Sequence, residues 1–337
     1  MSSKTRYRLD GIVPILHTPF TSEENLDLVS LQRLADHVVR TGAAGLIYPA
    51  VASEVSKLSA EERRGGIEVV LTRVGGRVPV FAGVSAVSIE ESCSLARHAE
   101  ANGAAGILAQ APPAVAADPI GLQDFFRRLA ASTGLTLMIQ DLDWQGGGMS
   151  LELIQQLFEE LPSFRCIKVE TVLAGPKYSR ILAATGGRLH VSGGWAVTQL
   201  LDGLERGVHA FMPEGSMVAI YRTIMARFAS GDREGARQLF ESLLPILAFS
   251  NQHIDISVQF FKRVLVAKGI FAVATVRQPI LALDSVQERI AAALVDRVLS
   301  LEAGLTPNAG ISPDNEGPLA EAIAKLVVDS RGAHWVR

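Results

Sequence analysis

The feature that most constrains the fold is a repeated alternation of short apolar runs with longer amphipathic segments. Eight such pairs follow one another between Gly11 and Phe228. The short runs have strand length, and the longer ones carry apolar residues at helical spacing. Alternation of this kind implies parallel strands joined by right-handed crossovers, and eight units are the number that closes a barrel. The sequence therefore predicts an α/β fold, a (β/α)₈ TIM barrel.

The alternative to a barrel is an open, doubly wound sheet. No Gly-x-Gly-x-x-Gly motif follows the first predicted strand, which disfavours a dinucleotide-binding sheet. The predicted strands are residues 11–16, 45–48, 78–83, 105–109, 135–140, the run that ends at Lys168, 188–192 and 209–212. We predict a barrel over residues 1–230 and a helical extension over 231–304 with helices at 233–247, 253–266 and 287–302. Residues 305–337 are expected to form a linker and a tail, with one short helix at 319–327.

Composition limits the partners and the compartment. The formal net charge of −3 offers no basic field for nucleic acid or an anionic membrane. The two cysteines, Cys93 and Cys166, lie in no metal-ligand or CxxC motif, as is usual in a reducing compartment. The first ten residues lack the apolar core of a signal peptide, and no apolar run is long enough to span a bilayer. We expect a cytoplasmic protein without nucleic-acid or membrane partners.

The sixth predicted strand carries a lysine inside an apolar run. Burying a cation there is costly, so Lys168 needs a reason to be present. A lysine in a dry pocket loses its proton easily and becomes a nucleophile for carbonyl compounds. The alternative is a packed stem whose ammonium reaches a carboxylate or solvent. Because side chains alternate along a strand, Cys166, Lys168 and Glu170 should share one face while Ile167 and Val169 face the helices.

In a (β/α)₈ barrel, catalytic groups converge at the carboxyl ends of the strands. Lys168 is one of the residues predicted there, which favours the catalytic interpretation over the structural one. The other candidates at the strand ends are His17, Thr18, Tyr48, the loop 50–54 with Val51 and Ala52, Ser85, Gln110, Gln140, Asp141, Asp143, Glu170, Ser192, Gly193 and Glu214.

Four sequence blocks, each in the matching strand unit, carry a resemblance to a known family. The blocks are Thr18-Pro19-Phe20, the segment from Glu54 to Arg63, residues 80–84 and residues 166–170. They resemble the dihydrodipicolinate synthase and N-acetylneuraminate lyase family of class I aldolases. The resemblance implies a barrel with three C-terminal helices, commonly a homotetramer. It also implies imine chemistry on a 2-oxo acid, with Lys168 as the Schiff-base lysine and no cofactor.

The sequence departs from the family pattern around that lysine. Val51 and Ala52 stand where the family has two hydroxyl residues that bind the carboxylate of the oxo acid. Gln140 matches the tyrosine that relays protons to the imine, and a neutral amide is no general acid or base. The second tyrosine, from a neighbouring subunit, falls near Ala114, and an arginine for a second carboxylate falls near Gln145.

Another group must therefore relay protons, and Asp141, directly after the fifth predicted strand, is our first choice. An aspartate that bonds its own turn is the competing interpretation. The further candidates are Asp143, Glu170, His17, Tyr48 and a water molecule held by Gln140. Val51, Ala52, His17, Tyr48, Glu170, Ser192, Gly193 and Glu214 are predicted to contact the substrate.

We thus predict a Schiff-base lyase, an aldolase or dehydratase, that acts on a 2-oxo acid and possibly an aldehyde, as a tetramer or dimer. The missing side-chain donors argue against dihydrodipicolinate synthesis. Trp144 and the glycines 146–148 suggest a pocket for a less charged or aromatic partner. One alternative is a catalytically impaired barrel that binds a small molecule as a regulator. Metal-assisted lyase chemistry is another, although no His/Asp pair has convincing ligand spacing.

Overall fold

The computed structural model describes residues 9–116 and 118–305. Within them, eight strands alternate with helices along the chain. The strands are β1 (Gly11–Ile12), β2 (Leu46–Tyr48), β3 (Val80–Gly83), β4 (Gly106–Ala109), β5 (Thr136–Asp143), β6 (Phe164–Thr171), β7 (His190–Gly193) and β8 (Ala210–Phe211). The helices are α1 (Leu28–Arg40), α2 (Ala60–Val74), α3 (Ile89–Ala101), α4 (Pro113–Ala116), α5 (Pro119–Ala131), α6 (Leu151–Glu160), α7 (Ala174–Ala184), α8 (Leu200–Glu205), α9 (Val218–Ala229), α10 (Arg233–Ser250), α11 (Ile254–Ala267) and α12 (Ser285–Ala303).

The strands form one parallel sheet that closes on itself. Their order is β1-β8-β7-β6-β5-β4-β3-β2, so chain neighbours are also sheet neighbours. The two ends meet in a parallel bridge between Ile15 and Ile47, where the Leu16 N–H donates to the Ile47 carbonyl at 3.1 Å. The predicted (β/α)₈ barrel with three additional C-terminal helices is confirmed.

Local sequence signals set several helix boundaries. The Ser59 hydroxyl accepts from the Glu62 N–H, and the Glu62 carboxylate accepts from the Ser59 N–H, which together form the predicted start of α2. At the start of α3, the Ser88 hydroxyl accepts from the Glu91 N–H. α3 ends at Ala101, and Gly103 follows its cap with a φ of +82°, which is readily adopted only by glycine.

Several elements differ in length from the prediction. β5 and β6 run three residues past Gln140 and Lys168 because the two strands stay paired up to Asp143 and Thr171. β1 stops early, since Pro14 has no N–H to donate to a neighbouring strand. The seventh predicted helix, residues 197–205, is divided into a 3₁₀ turn at Trp195–Val197 and α8.

The strands separate two apolar layers. Side chains such as Phe81, Met138 and Cys166 fill the barrel, while Ile167 and Val169 pack outward among the helices. The predicted alternation of faces along β6 is therefore confirmed. Position 168 lies on the inward face.

The C-terminal helices cover part of the barrel. α10 packs against α9, and α11 contacts the 3₁₀ turn Val51–Ser53 that follows β2. None of the described helices is long and apolar enough to cross a membrane. The predicted tail lies almost wholly outside the described residues, as does its short helix at 319–327.

Candidate active site

A cavity of about 360 Å³ opens at the carboxyl ends of the strands. Residues from the barrel and from the α10–α11 turn enclose it together. The residues that line it are Ile15, Ala50, Val51, Ala52, Gln140, Trp144, Gln145, Lys168, Glu170, Trp195, Met212, Pro213, Glu214, Ser250, Asn251, Gln252, His253, Ile254, Ser257 and Phe261. Six of the predicted site residues are among them, namely Lys168, Gln140, Glu170, Val51, Ala52 and Glu214.

Lys168 lies at the floor of this cavity. Its register neighbours are Gln140 on β5 and Ser192 on β7, so the three side chains share the inward face of the barrel. The lysine is only 3% exposed, and its Nζ lies 2.9 Å from Oε2 of Glu170. A buried cation therefore has a buried carboxylate beside it, and both contact the cavity.

The Glu170 carboxylate is held from both sides. Oε2 accepts a hydrogen bond from Gln140 Nε2 at 2.6 Å, and Oε1 accepts from the Trp195 N–H at 2.7 Å. The carboxylate also occupies space that a side chain at position 194 would need, because a Cβ on Gly194 would lie 2.6 Å from Glu170 Cγ. Glu170 is thus fixed against Lys168 rather than free to rotate.

The loop after β2 presents two apolar side chains, Val51 and Ala52, to the cavity. The loop itself is tightly held. The Ser53 hydroxyl donates to the Leu16 carbonyl at 2.5 Å and accepts from the Ala50 N–H at 2.9 Å, while the Thr18 hydroxyl donates to the Ser53 carbonyl at 2.6 Å. A carboxylate bound at this loop would find only backbone donors at positions 51 and 52.

Glu214 is a second carboxyl group in the cavity wall. It accepts hydrogen bonds from the backbone N–H groups of Ser216 and Met217, the latter at 3.1 Å. Burial raises the pKa of Glu214 to about 7, against the opposing effect of these hydrogen bonds. The wall therefore carries a carboxyl group that titrates near neutral pH.

The structure does not bring Asp141 to the cavity. Asp141 lies opposite Val169 in the sheet, one residue along from Gln140, so its side chain is on the outward face. It pairs with Lys177 of α7 at 2.5 Å and accepts from the Met149 N–H at 2.8 Å. Our first choice of proton relay therefore has the position of a structural ion pair, and burial is the main cause that raises its pKa.

Four predicted substrate contacts, Tyr48, Gly193, His17 and Ser192, are also not among the residues that line the cavity. Tyr48 packs outward in the strand–helix layer, where its hydroxyl lies 3.3 Å from the Thr18 hydroxyl, and its burial raises its pKa. Gly193 faces Tyr178 and Phe211 on the same outer side. Their register explains the difference, because positions 48 and 193 belong to the face of the sheet that packs on helices.

His17 and Ser192 are inside but enclosed. Burial, with a smaller contribution from Lys262, lowers the pKa of His17 to about 3, so its ring is neutral, and it packs beside Phe261. The Ser192 hydroxyl donates to the Ile167 carbonyl at 3.0 Å. Neither lines the cavity, although both lie close to residues that do.

Sequence reasoning missed the contribution of the C-terminal helices. The turn between α10 and α11 places Asn251, Gln252 and His253 over the cavity, and Ser257 follows on α11. The available signal was the polar run 250–253 between two amphipathic segments. Trp195 was also missed, and its ring lies 6.0 Å from that of Trp144, centroid to centroid, in the cavity wall.

The described ranges, 9–116 and 118–305, contain no group of three or more His, Cys, Asp or Glu residues that could hold a metal ion. The titratable side chains among the described residues that line the cavity are Lys168, Glu170, Glu214 and His253.

The fold and the cavity define a (β/α)₈-barrel protein with a buried lysine–carboxylate pair at the carboxyl ends of its strands. A sequence model of the dihydrodipicolinate synthetase family matches residues 8–297. The chain belongs to this family, which confirms the resemblance seen in its motifs.

Relatives in the family carry several activities in their names. The chain is 27% identical to an L-2-keto-3-deoxyarabonate dehydratase of Azospirillum brasilense, over 76% of this chain and 84% of the relative. It is 30% identical to a 4-hydroxy-tetrahydrodipicolinate synthase of Kineococcus radiotolerans, over 86% of this chain and 92% of the relative.

Solved structures show the same fold. The dihydrodipicolinate synthase of Rhodopseudomonas palustris superposes with a TM-score of 0.79 at 24% identity, covering 88% of this chain and 99% of that one. The N-acetylneuraminate lyase of Proteus mirabilis gives a TM-score of 0.78 at 21% identity, covering 87% and 99%.

Proposed function

We propose that the protein is a Schiff-base-forming lyase that acts on a 2-oxo acid through an imine on Lys168. The observation that carries this proposal is the contact between Lys168 Nζ and Glu170 Oε2, at 2.9 Å, at the floor of the cavity. A cavity that exposes a lysine with a proton acceptor beside it has the two groups that imine formation needs.

Glu170 is proposed as the proton acceptor and donor. An ammonium cannot attack a carbonyl, so Lys168 must first transfer a proton, and Glu170 Oε2 is in hydrogen-bond reach. The amine then attacks C2 of the oxo acid, and the resulting carbinolamine takes up a proton and loses water to give the iminium. Glu170 can return the proton that it received.

The iminium then draws electrons from the neighbouring bonds. Removal of the C3 proton gives an enamine, from which a hydroxide at C4 can leave with a proton, as in a dehydratase. Cleavage of the C3–C4 bond, with the C4 hydroxyl proton removed, gives the same kind of enamine and an aldehyde, as in an aldolase. Both names occur among the relatives, one as an L-2-keto-3-deoxyarabonate dehydratase and one as a probable 2-dehydro-3-deoxy-D-pentonate aldolase.

Gln140 has a supporting role in this scheme. It stands where the resemblance places a tyrosine relay, and its amide donates to the carboxylate that pairs with Lys168. A neutral amide cannot relay protons, but it can fix the group that does. The proton relay is thus proposed to have moved from position 140 to position 170.

The proposal does not include the synthesis of 4-hydroxy-tetrahydrodipicolinate, the activity for which the synthase relatives are named. Val51 and Ala52 offer no side-chain donor to a carboxylate, and Gln145 replaces a cation with an amide. A catalytically impaired binding protein is not favoured by any feature of the cavity, since the nucleophile and a proton acceptor are both in place. Assembly as a tetramer or dimer and a cytoplasmic location stay predictions.

Borohydride trapping with a panel of 2-oxo acids tests the proposal. Reduction of an imine leaves a stable secondary amine, so intact mass and peptide mapping should find one adduct on Lys168. A folded protein that forms no adduct with any acid of the panel, or forms it on another lysine, would contradict the mechanism.

A further inference from the structure

One titratable side chain in the cavity wall has no part in the proposed reaction. His253 belongs to the turn between α10 and α11, which forms one side of the cavity. The proposed reaction uses Lys168 and Glu170, which lie on β6 and are almost fully buried. The His253 side chain is 49% exposed, so a molecule in the cavity can reach it.

The start of α11 fixes the orientation of the imidazole. Its Nδ1 accepts a hydrogen bond from the Asp255 N–H at 3.1 Å and so caps the helix. Because Nδ1 is the acceptor in this bond, the neutral ring carries its proton on Nε2. His253 therefore offers an N–H donor even when it is uncharged, and Nε2 is the ring nitrogen that the cap does not use.

The surroundings of the ring also allow it to be charged. Oδ2 of Asp255 lies 3.7 Å from Nδ1 and accepts a hydrogen bond from the Leu281 N–H at 2.9 Å, which holds the carboxylate in place. When Nδ1 gains a proton it no longer caps α11, but it then faces this carboxylate, which stabilises the imidazolium. Histidine is the side chain whose charge ordinarily changes between about pH 5 and 8. Both charge states of the ring are thus compatible with the turn.

The other charges in the cavity give this change a consequence for binding. The charged groups that face the cavity with His253 are Lys168 and Glu170 of β6 and Glu214 after β8. Lys168 is the sole lysine or arginine among the described residues that line the cavity, and the proposed imine engages it. A tail with a carboxylate would lose hydration there without gaining a cation, unless His253 is protonated. Burial raises the pKa of Glu214 to about 7, so its negative charge also disappears as the pH falls.

We propose that His253 is a specificity-determining residue, which binds the acidic tail of a 2-oxo acid when its imidazole is protonated and leaves the cavity selective for uncharged tails when it is neutral. The inference rests on the proposed function, because the oxo acid must first be anchored at Lys168. It assigns the choice between two classes of substrate to a turn of the C-terminal helices, outside the strands of the barrel.

Two acids with tails of the same shape test this inference. One is 2-oxoglutarate, and the other is 5-methyl-2-oxohexanoate, which carries two methyl groups in place of the two oxygens of the distal carboxylate. The half-saturating concentration of each for trapping with cyanoborohydride is measured at about pH 6 and about pH 8. The ratio of the two concentrations cancels the effect of pH on Lys168, which both acids share. From the higher pH to the lower, the ratio of 2-oxoglutarate to 5-methyl-2-oxohexanoate should fall by about threefold to tenfold.

The variant His253→Asn removes the charge and keeps the cap, because asparagine is a favoured N-cap residue whose side-chain oxygen can accept from the Asp255 N–H. In this variant the fall should shrink to about twofold or less. Glu214→Gln should keep the part of the fall that depends on His253, which separates the two groups. His98→Asn is a matched control that should behave as wild type, because His98 lies on α3 beside Glu68 and does not line the cavity.

The two proposals fail in different ways. A ratio that does not fall at the lower pH, or a fall that His253→Asn leaves intact, would overturn the role of His253 and leave the imine mechanism standing. The same conclusion would follow if either acid formed no adduct at both pH values while shorter 2-oxo acids still reacted with Lys168. A folded wild-type protein that forms no adduct with any 2-oxo acid would overturn the proposed function and this inference with it.

Discussion

Two lysines of this protein are buried beside glutamates, and they differ in what surrounds them. Lys168 is 3% exposed and Lys262 is 0% exposed. Lys168 and its partner Glu170 both line the cavity, whereas Lys262 of α11 pairs with Glu54 in a closed interior. The two pairs have the same chemistry, and access to a cavity separates them.

The environment of Lys262 is that of a structural clamp. Its Nζ also donates to the Thr275 carbonyl at 2.8 Å and lies 4.4 Å from the centre of the Phe20 ring. Glu54 receives further hydrogen bonds from Lys57 and from the Arg277 N–H, each at 3.2 Å. Burial lowers the pKa of Lys262 to about 8, so a perturbed lysine by itself does not mark a catalytic site.

The largest expected effect follows from removing the cavity lysine. Lys168→Met should abolish the borohydride adduct and lower turnover by roughly a thousandfold or more, because the described residues that line the cavity include no second lysine. Intact mass after trapping and a steady-state assay measure both losses. If Lys168→Met still formed an adduct, access to the cavity would not be what distinguishes Lys168 from Lys262.

Glu170→Gln separates positioning from proton transfer. The glutamine oxygen can still accept from the Trp195 N–H, but it cannot take a proton from Lys168. We expect kcat to fall by roughly 10²–10⁴-fold and the acid limb of the pH–rate profile to change, as for loss of a general base. The exposed Glu159 supplies a control in Glu159→Gln, and equal activities of the two variants would refute the role of Glu170.

Glu214 tests how a cavity carboxyl behaves when its hydrogen bonds come from backbone N–H groups instead of a paired lysine. Its folded-state pKa of about 7 lies above its ordinary value of 4.5, so the folded state holds the proton more tightly. Its stabilising contribution should be complete below about pH 4.5 and lost as the pH rises through 7, amounting to about 3 kcal/mol. Urea unfolding of wild type and Glu214→Gln at several pH values measures this, and parallel curves would be inconsistent with it.

The smallest effect concerns the closed pair. Lys262→Met should lower the free energy of unfolding by about 2 kcal/mol, less than is usual for a broken buried pair because Lys57 and the Arg277 N–H still contact Glu54. Adduct formation on Lys168 should be unchanged per folded molecule. The double variant Lys262→Met with Glu54→Gln should recover part of the stability. Loss of trapping in the folded single variant would show that the two pairs are not independent.

The sequence was sufficient for the barrel and for the position of its lysine. Both follow from periodicity, which is a local property: alternating segments set the fold, and alternating faces place Cys166, Lys168 and Glu170 inward. The same rule separates Gln140 from Asp141, which are adjacent in sequence and lie on opposite faces. Choosing Asp141 for its acidity gave too little weight to the face on which it lies.

The side of the cavity that the α10–α11 turn forms could not be predicted in the same way. Asn251 reaches it because α10 and α11 fold back over the barrel, and contacts such as Lys262–Glu54, 208 residues apart in sequence, hold them there. Periodicity predicts that these helices exist but not where their connecting turn lies. The polar run 250–253 is visible in the sequence, but periodicity does not show that it lines the cavity.

Gly194 gives the site a signature that can be sought in other chains. Because the Glu170 carboxylate fills the place of a side chain at position 194, a relative with any larger residue there could not hold a carboxylate against its lysine in this way. A glutamate two residues after the lysine and a glycine in the loop after the next strand should therefore occur as a pair. Where the pair is broken, a different proton relay is to be expected.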